Sequence, residues 1–463
     1  MRNNPLDTLG TVPVTETYEY KGLGGRPTRV DTVIGSTASF AGGTFALDQT
    51  WNALGLLDSV TYPTTPAVSG NARTISYSYS QGLLTGVAGY ATLTYQANGL
   101  LNAVTHGTGS AAVTETWTAD PNGMSRPAGI VVKRGTETLW NSGNYAYDGA
   151  GNITAIGNLT FTYDALNRLV AWTTTKPAGG YDRVTRKLDP FGNYAGSKID
   201  GCTSAASTAS CYSTSATPLA VNSSLNRYTG STYDAAGSVL SDGRYTYAYD
   251  GAAMMQSLTG SGRNERYLYT ADDERVAIVD LAASGKTTWT LRGTGHQLLR
   301  TFTRNGTAAN SAWGWTEDEI WRGAQLLASE SPSGRKQHHL DHLGSPRLIT
   351  NSSGQRLGEQ SFTPFGMGGT LDGGRLQFTG HERDVPSQGG VQETLDYMHA
   401  RYYSAAMGRF LSVDPIIDVQ AAMHNPQMWN RYSYVANNPI NRIDPTGKLG
   451  CKGEAGGGLL LGS

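Results

Sequence analysis

The chain has 463 residues, of which 36 are basic and 37 acidic, giving a formal net charge of −1. This balance leaves no broad basic face for a phosphate backbone, so we expect no nucleic acid partner. The 59 glycines and the charged fraction of only 16% favour many strands joined by glycine turns over a helical protein. No apolar run reaches the roughly eighteen residues of a membrane span, and the first residues have no signal-peptide core. We therefore expect no membrane span, and an export route that is non-classical or depends on upstream sequence.

A pair of aromatic residues spaced by two positions recurs along the chain. It is often followed by Asp, a turn with Gly or Asn, and an apolar pair. The copies are Tyr145/Tyr147-Asp148, Phe161/Tyr163-Asp164, Tyr247/Tyr249-Asp250 and Tyr267/Tyr269, with weaker copies at Tyr77/Tyr79, Tyr95 and Tyr233-Asp234. Residues i and i+2 of a strand share a face, so each copy predicts one β-hairpin with an aromatic ladder. A single hairpin cannot bury its apolar face alone, which predicts that neighbouring copies join into a continuous sheet.

The segment from 174 to 228 breaks this period and is rich in Ser, Thr and Ala. We interpret it as a surface insertion that is more sensitive to proteases than the repeats. It contains Cys202 and Cys211, for which a small-loop disulfide and two free thiols are equally consistent with the sequence.

The aromatic copies resemble the YD repeats of bacterial Rhs proteins, Tc-toxin C subunits and the teneurin shell. A closer resemblance begins at residue 338. Five ordered blocks are similar to the Rhs repeat-associated core domain: HHLDHLGSPRLITNSSGQ (338–355), FTPFG (362–366), FTGHERD (378–384), LDYMHARYYSAAMGRFLSVDP (395–415) and NRYSYVANNPINRIDPTG (430–447). The resemblance implies an all-β fold in which YD-repeat β-hairpins coil into a large hollow shell, this chain being the C-terminal part of a partial shell.

The predicted domains follow from these blocks. Their bounds are a YD-repeat shell part at 1–173, the insertion at 174–228, a second shell part at 229–337, the core segment at 338–449 and a remnant C-terminal tail at 450–463. In the family a variable toxin begins after the core domain, but a tail this short cannot build a catalytic domain. We therefore expect a C-terminal toxin to be absent or truncated, and an upstream shell or plug and the secretion machinery to be partners.

Two Asp-Pro pairs close the last two blocks, at Asp414 and Asp444. Two neighbouring carboxylates cannot both ionise easily, so one keeps its proton and polarises a carbonyl while the other activates a water. The resemblance implies that this pair and Arg401 form an intramolecular aspartic protease. The alternative is that both Asp-Pro pairs only open turns and that Arg401 pairs with a structural carboxylate. Asp418 is a less favoured substitute within the pair.

The resemblance places the cleavage just after a D-P-x-G motif. The family has Leu directly after the Gly, whereas this chain has Lys448 and then Leu449. The predicted cleavage site therefore comprises Lys448, Leu449 and Gly450, with the scissile bond at either 448/449 or 449/450. No turnover enzyme is expected.

A cluster of His338, His339, Asp341 and His342 opens the core segment. Successive strand positions point to opposite faces, so these side chains cannot all meet one ion. We interpret the cluster as a packing and turn motif and expect neither a metal nor a cofactor.

These observations predict a secreted or cell-surface shell that encapsulates or delivers a toxin in competition between cells. The rival hypothesis is a non-catalytic protein of the cell surface or wall whose Tyr-rich repeats bind a surface glycan or protein. In that case the Asp pair is purely structural.

Overall fold

The structure is a computed structural model that describes residues 1–6, 9–64, 72–177, 179–204, 211–215, 220–307, 313–369, 374–384, 394–417, 419–448 and 451–452. Strands account for 54% of it and helices for 4%, which confirms the all-β class. Within every sheet, each strand pairs antiparallel with its neighbours in the chain. The sheets are therefore continuous meanders, as the repeat predicts.

The first sheet holds twelve strands. They are β1 (Arg2–Pro5), β2 (Thr11–Glu19), β3 (Arg29–Ile34), β4 (Gly43–Trp51), β5 (Leu57–Thr64), β6 (Thr74–Ser80), β7 (Leu83–Val87), β8 (Ala91–Tyr95), β9 (Leu101–His106), β10 (Val113–Ala119), β11 (Pro127–Arg134) and β12 (Glu137–Asn141). The second sheet holds seven: β13 (Tyr145–Tyr147), β14 (Ile153–Ile156), β15 (Leu159–Tyr163), β16 (Leu169–Thr175), β17 (Gly179–Leu188), β18 (Tyr194–Ser204) and β19 (Cys211–Ser215). A separate two-stranded hairpin follows: β20 (Val221–Asn222) and β21 (Arg227–Tyr228).

The largest sheet holds thirteen strands. They are β22 (Thr232–Tyr233), β23 (Val239–Ser241), β24 (Thr246–Tyr249), β25 (Met255–Gly260), β26 (Arg263–Tyr269), β27 (Arg275–Asp280), β28 (Lys286–Arg292), β29 (Leu298–Arg304), β30 (Trp313–Arg322), β31 (Gln325–Ser331), β32 (Gly334–Leu340), β33 (Pro346–Asn351) and β34 (Arg356–Glu359). The core segment begins inside this sheet, because its first block forms β32 and β33.

The rest of the core segment forms short elements. A four-stranded sheet contains β35 (Glu382–Arg383), β36 (Leu395–Met398), β37 (Arg401–Ser404) and β38 (Arg409–Phe410), and a last pair contains β39 (Arg442–Ile443) and β40 (Cys451–Lys452). The helix α1 spans Val419–His424, and 3-10 turns occur at Gly109–Ala111, Phe378–Gly380, Pro426–Trp429 and Val435–Asn437.

The hairpins share one way of ending a strand. Tyr147, Tyr163, Tyr249 and Tyr269 each end a strand directly after a shift of register, which confirms their predicted equivalence. In most copies the hydroxyl of this tyrosine donates to a carbonyl oxygen of an earlier strand or the turn before it. The pairs are Tyr79 to Leu57, Tyr95 to Leu84, Tyr147 to Pro127, Tyr163 to Ile153 and Tyr269 to Met255, at 2.6–2.9 Å. The second aromatic of the repeat thus fastens each hairpin to the chain that precedes it.

The turn after the tyrosine is closed by the side chain that follows. Asp148 Oδ1 accepts from the backbone N–H groups of Ala150 and Asn152, at 3.0 and 2.8 Å. The same two bonds recur at Asn52, Asp164, Asp189, Asp250, Asp341 and Asn351. Asp and Asn stand there because their short side chains reach the backbone two and four residues on.

Strands β17 to β19, which lie within the segment from 174 to 228, continue the second sheet, although their sequence breaks the period. Strand β17 pairs with β16, and β18 pairs with β17 through a turn closed by Asp189. The sequence pattern missed this copy because Leu188 stands where other copies have an aromatic residue. Cys202 and Cys211 are directly opposite each other in β18 and β19 and form a disulfide, so the structure favours the bonded alternative.

The first and largest sheets pack against each other. Phe45 of β4 contacts Trp289 of β28 with ring centroids 5.9 Å apart, within one apolar cluster shared by both sheets. Polar groups also cross between them, since Arg300 Nη1 donates to the carbonyl oxygen of Pro63 at 2.9 Å. The interior between the sheets is therefore both apolar and hydrogen-bonded.

A buried ionic cluster joins the short sheet of the core segment to the largest sheet. Arg275 at the start of β27 is fully buried and contacts Glu382 at 2.9 Å and Asp384. Arg292 at the end of β28 contacts the other oxygen of Glu382. The two carboxylates belong to the HERD block, so this block anchors the core segment.

Candidate active site

Arg401 lies at the centre of the site and begins β37. Its side chain is buried, and its guanidinium carbon lies 3.6 Å from the ring centroid of Phe410 in the paired strand. One terminal nitrogen, Nη2, contacts both predicted aspartates, at 2.8 Å from Asp414 Oδ2 and 3.2 Å from Asp444 Oδ2. The structure therefore brings all three predicted catalytic residues together around one atom.

The remaining donors of Arg401 hold the backbone near the end of the chain. Its Nε donates to the carbonyl oxygen of Gly447, and its Nη1 donates to the carbonyl oxygen of Arg431 at 3.0 Å. A guanidinium suits this role because its donors form a rigid planar fork. Two aspartates and the carbonyl of the D-P-x-G motif thus share one cation.

Asp414 is half-buried and is positioned by the turn that contains Arg431. Its backbone N–H donates to the carbonyl oxygen of Arg431 at 2.9 Å, and Arg431 returns a bond to the carbonyl oxygen of Asp414. Oδ1 accepts from the N–H of Ile416 at 2.9 Å, which leaves Oδ2 facing Arg401. Burial raises the pKa of Asp414, and the neighbouring Asp444 raises it further, against the opposing charge of Arg401.

Asp444 is buried and follows β39. Its Oδ1 accepts from the backbone N–H of Lys448 at 3.1 Å, so its carboxylate closes the turn that contains the motif. Within that turn Gly447 has a φ of +67°, and a Cβ there would lie 2.1 Å from the carbonyl oxygen of Met398. Only glycine fits this close approach.

The arrangement fixes both sides of the Gly447–Lys448 peptide unit. Its carbonyl faces Arg401, and its N–H faces Asp444. A cation on a carbonyl and a carboxyl group with a raised pKa beside it are the elements of acid-assisted attack on a peptide. Three residues named from the sequence lie outside the described residues: Leu449, Gly450 and the substitute Asp418. The two scissile bonds, 448/449 and 449/450, therefore stay predictions.

Sequence reasoning missed three contributors to this site. They are Phe410, which stacks on the guanidinium, Arg431, which positions Asp414, and Met398, whose carbonyl requires the glycine. The signal for Arg431 was its place in the NRYSY block. The other two contacts depend on the pairing of β36 to β38, which the sequence does not display.

The side chains of the histidine cluster point in different directions, as predicted. His338 and His339 lie on opposite faces of β32, and Asp341 and His342 lie in the turn that follows it. His338 Nε2 bonds Ser329 at 3.0 Å, whereas His339 faces Thr350. Asp341 closes a repeat turn. His342 bonds the carbonyl oxygen of Ile440 at 2.9 Å, which ties the last block to the largest sheet.

Sheet topology and the repeated hairpin define the fold class, which is an antiparallel meander of aromatic hairpins. Among solved structures, the TcdB2–TccC3 complex matches with a TM-score of 0.70 and 20% identity, over 95% of this chain and 24% of that chain. The Photorhabdus luminescens Tc holotoxin pore matches with a TM-score of 0.71 and 19% identity, over 94% and 23%. The chain has the fold of the Tc-toxin Rhs shell, which confirms the predicted resemblance.

Curated relatives match smaller parts of the chain, and no family model matches it. The tRNA3(Ser)-specific nuclease WapA of Bacillus spizizenii is 26% identical over 224 residues, which is 46% of this chain and 9% of the relative. Salivary gland surface protein 1 of Aedes aegypti is 31% identical over 117 residues, which is 24% of this chain and 3% of the relative. The matched part spans less than a tenth of either relative. Among the described residues, no helix has the length and apolar character to cross a bilayer.

Proposed function

We propose that the chain is part of a YD-repeat shell that encapsulates or delivers a C-terminal toxin in competition between cells, outside the producing cell or on its surface. Its partners are the rest of the shell or a plug, and the secretion machinery. The shell fold supports this role, as does the partial match to a nuclease far longer than this chain. The chain would act once on itself and would not turn over a substrate.

The proposed reaction is a single self-cleavage after the D-P-x-G motif. Its main support is the convergence of Arg401 on Asp414, on Asp444 and on the carbonyl of Gly447. These contacts fix the chain that leads into the scissile peptide, either 448/449 or 449/450. Such positioning gives an intramolecular reaction most of its advantage.

The two aspartates have different tasks in this reaction. Asp414, whose pKa is raised, keeps its proton and donates a hydrogen bond to the scissile carbonyl. Asp444 accepts a proton from the attacking water, whose oxygen bonds to the carbonyl carbon. The C–N bond then breaks, and the leaving amine takes the proton of Asp414. The products are a carboxyl terminus and an amine terminus, and the net reaction consumes one water.

Intact mass spectrometry of freshly purified protein tests the cleavage. We expect wild type to lose the peptide that runs from Leu449 or Gly450 to Ser463, and the measured mass identifies the bond. Asp414→Asn and Asp444→Asn should each remain full length, because Asn can neither supply the acidic proton nor accept a proton from water.

The chain contains its own matched control at Asp189. Asp189-Pro190-Phe191-Gly192 repeats the D-P-x-G sequence, but its carboxylate closes an ordinary repeat turn. Asp189→Asn should therefore leave cleavage at the C-terminal motif unchanged. If wild type and the Asp414 and Asp444 variants all keep the uncleaved mass across a range of pH, self-cleavage is rejected.

The delivery role is tested by extending the genomic reading frame in both directions. An upstream PAAR-like or plug domain would support delivery. A signal peptide with wall-binding modules would instead favour the surface-binding hypothesis.

A further inference from the structure

Three buried side chains that can bind metal meet between the first and largest sheets. His106 ends β9 and Glu115 lies in β10, where the pairing of His106 with Val113 places both side chains on the same face. His339 comes from β32 of the largest sheet and packs edge-on to His106, with ring centroids 4.8 Å apart. All three residues are at most 1% exposed.

His339 is held in an orientation that favours a free lone pair on Nδ1. Thr350 donates its single hydroxyl hydrogen to Gln337 at 2.9 Å and therefore accepts from His339 Nε2, at 3.0 Å. With the hydrogen on Nε2, the lone pair of Nδ1 points toward Glu115 Oε2, at 3.8 Å. A lone pair facing a carboxylate is unfavourable, and either a proton on Nδ1 or a metal ion between the two atoms removes the repulsion. Metal-binding histidines are commonly oriented by a bond of this kind from the other ring nitrogen.

Only one carboxylate oxygen of Glu115 faces the two histidines, because the other is bonded elsewhere. Its Oε1 accepts from the indole N–H of Trp117 at 2.6 Å and lies 3.6 Å from Arg322 Nη2. Its other oxygen, Oε2, faces His339 Nδ1 at 3.8 Å.

His106 is the least satisfied of the three. Neither of its ring nitrogens has a hydrogen-bond partner among the described residues, although the side chain is buried. A buried polar group without a partner costs free energy, which a bound ligand would recover. Because neither nitrogen is paired within the described part of the chain, the ring has a nitrogen available to a ligand.

We propose that His106, Glu115 and His339 bind one divalent transition metal ion of the zinc type, which links the two sheets. Two imidazole nitrogens and one carboxylate oxygen form a set that zinc favours, with a water completing the tetrahedron. The three ligand atoms lie within 4.8 Å of one another. Ligands of a tetrahedral zinc ion lie about 3.3 Å apart, so small side-chain rotations close the site.

Arg322 opposes the ion because it adds a positive charge next to Glu115. This charge gives the proposal a second, independent consequence. Arg322→Gln should bind the metal more tightly than wild type, since the mutation removes a repulsive cation and leaves the three ligands in place.

Titration of the purified full chain with Co²⁺ tests the site directly. We expect one equivalent to give the intense visible bands of tetrahedral Co²⁺, and Zn²⁺ to displace them. His106→Ala and the nearly isosteric Glu115→Gln should each weaken binding at least tenfold. The matched control is His338→Ala, which removes the adjacent buried histidine on the opposite face of β32 and should bind like wild type.

Thermal unfolding separates lost binding from lost folding. Zn²⁺ should raise the Tm of wild type and His338→Ala but not that of Glu115→Gln, whose circular dichroism must match wild type for the comparison. Equal Co²⁺ binding by wild type, His106→Ala and Glu115→Gln would show adventitious binding elsewhere and overturn the proposal. Wild type that fails to bind one equivalent would overturn it as well.

Discussion

Two copies of the D-P-x-G motif in this chain have different environments. At Asp189 both carboxylate oxygens bond within the local turn, through the backbone and the side chain of Asn193. At Asp444 one oxygen closes the turn and the other contacts Arg401. The motif is thus a turn former first, and the contacts with Arg401, which also binds Asp414, set the Asp444 copy, for which we propose cleavage, apart from the copy at Asp189.

The raised pKa of Asp414 predicts how self-cleavage depends on pH. The reaction needs this carboxyl in its protonated form, and the protonated fraction falls as the pH rises through its pKa. Because burial and Asp444 raise that pKa, we expect cleavage to persist above the usual titration range of Asp and then to slow as the pH increases further. Chain recovered unfolded from inclusion bodies, and so still uncleaved, is refolded into a pH series, and the cleaved fraction followed by intact mass measures the rate. A rate that climbs steadily toward alkaline pH would contradict the assignment.

Two equivalent tyrosines provide a matched test of the hydroxyl bond in the repeat. Tyr269 donates to the carbonyl oxygen of Met255 at 2.7 Å, whereas the hydroxyl of Tyr249, in the preceding hairpin, is buried without a partner among the described residues. Tyr269→Phe should lower the free energy of unfolding by about 1 kcal/mol. Tyr249→Phe should be neutral or slightly stabilising. Urea unfolding of both variants compares them, and equal losses would show that the bond is not what stabilises the hairpin.

At the scale of elements, the HERD block fastens the sheet of β35 to β38 onto β27 and β28. Glu382 contacts three guanidinium groups, those of Arg275, Arg292 and Arg375. Burial raises the pKa of Glu382, but the three guanidinium groups outweigh it and hold the pKa far below its ordinary value of 4.5. The interface therefore depends on an ionised carboxylate.

Glu382→Gln should destabilise the fold by roughly 3–5 kcal/mol at neutral pH, because buried guanidinium groups lose their counter-charge. A carboxyl with a depressed pKa stabilises above its unfolded pKa and loses that contribution as the pH falls toward the folded pKa. The gap in urea midpoint between wild type and the variant should therefore be widest near pH 7 and shrink below about pH 4.5. As a control, Glu359→Gln changes an exposed carboxylate, and its urea midpoint should differ little from that of wild type. A gap that does not change with pH would contradict this account.

On the scale of the whole molecule, the segment from 174 to 228 is where the first protease cuts are expected. Strand β19 is exposed at all five residues, and Tyr181 and Tyr212 are among the exposed large side chains, whereas β27 to β33 are largely buried. Limited proteolysis followed by mass mapping locates the cuts. Early cuts between Tyr233 and Tyr269 would contradict the predicted domain bounds, which place those residues in the second shell part.

The sequence predicted the part of the architecture that repeats and missed what depends on packing between distant strands. The equivalence of Tyr147 and Tyr163 follows from spacing alone, and the family resemblance led to Arg401, Asp414 and Asp444. The contact between His106 and His339 was not predictable, because it depends on how two sheets pack and the residues are more than two hundred positions apart in the sequence. The copy at Asp189 was missed because the aromatic signal is replaced by Leu188.

The sequential pairing of strands has a mechanical consequence. Within each sheet every strand is bonded only to its neighbours in the chain, so a pull on one end would load the bonds of one strand pair at a time. Peeling of this kind requires less force than shearing whole strands past each other, because few bonds bear the load at any moment. The disulfide between Cys202 and Cys211 would interrupt such peeling, since it closes β18 onto β19 covalently. In the part of the chain that the structure describes, we therefore expect unfolding under load to proceed strand by strand until it reaches this disulfide.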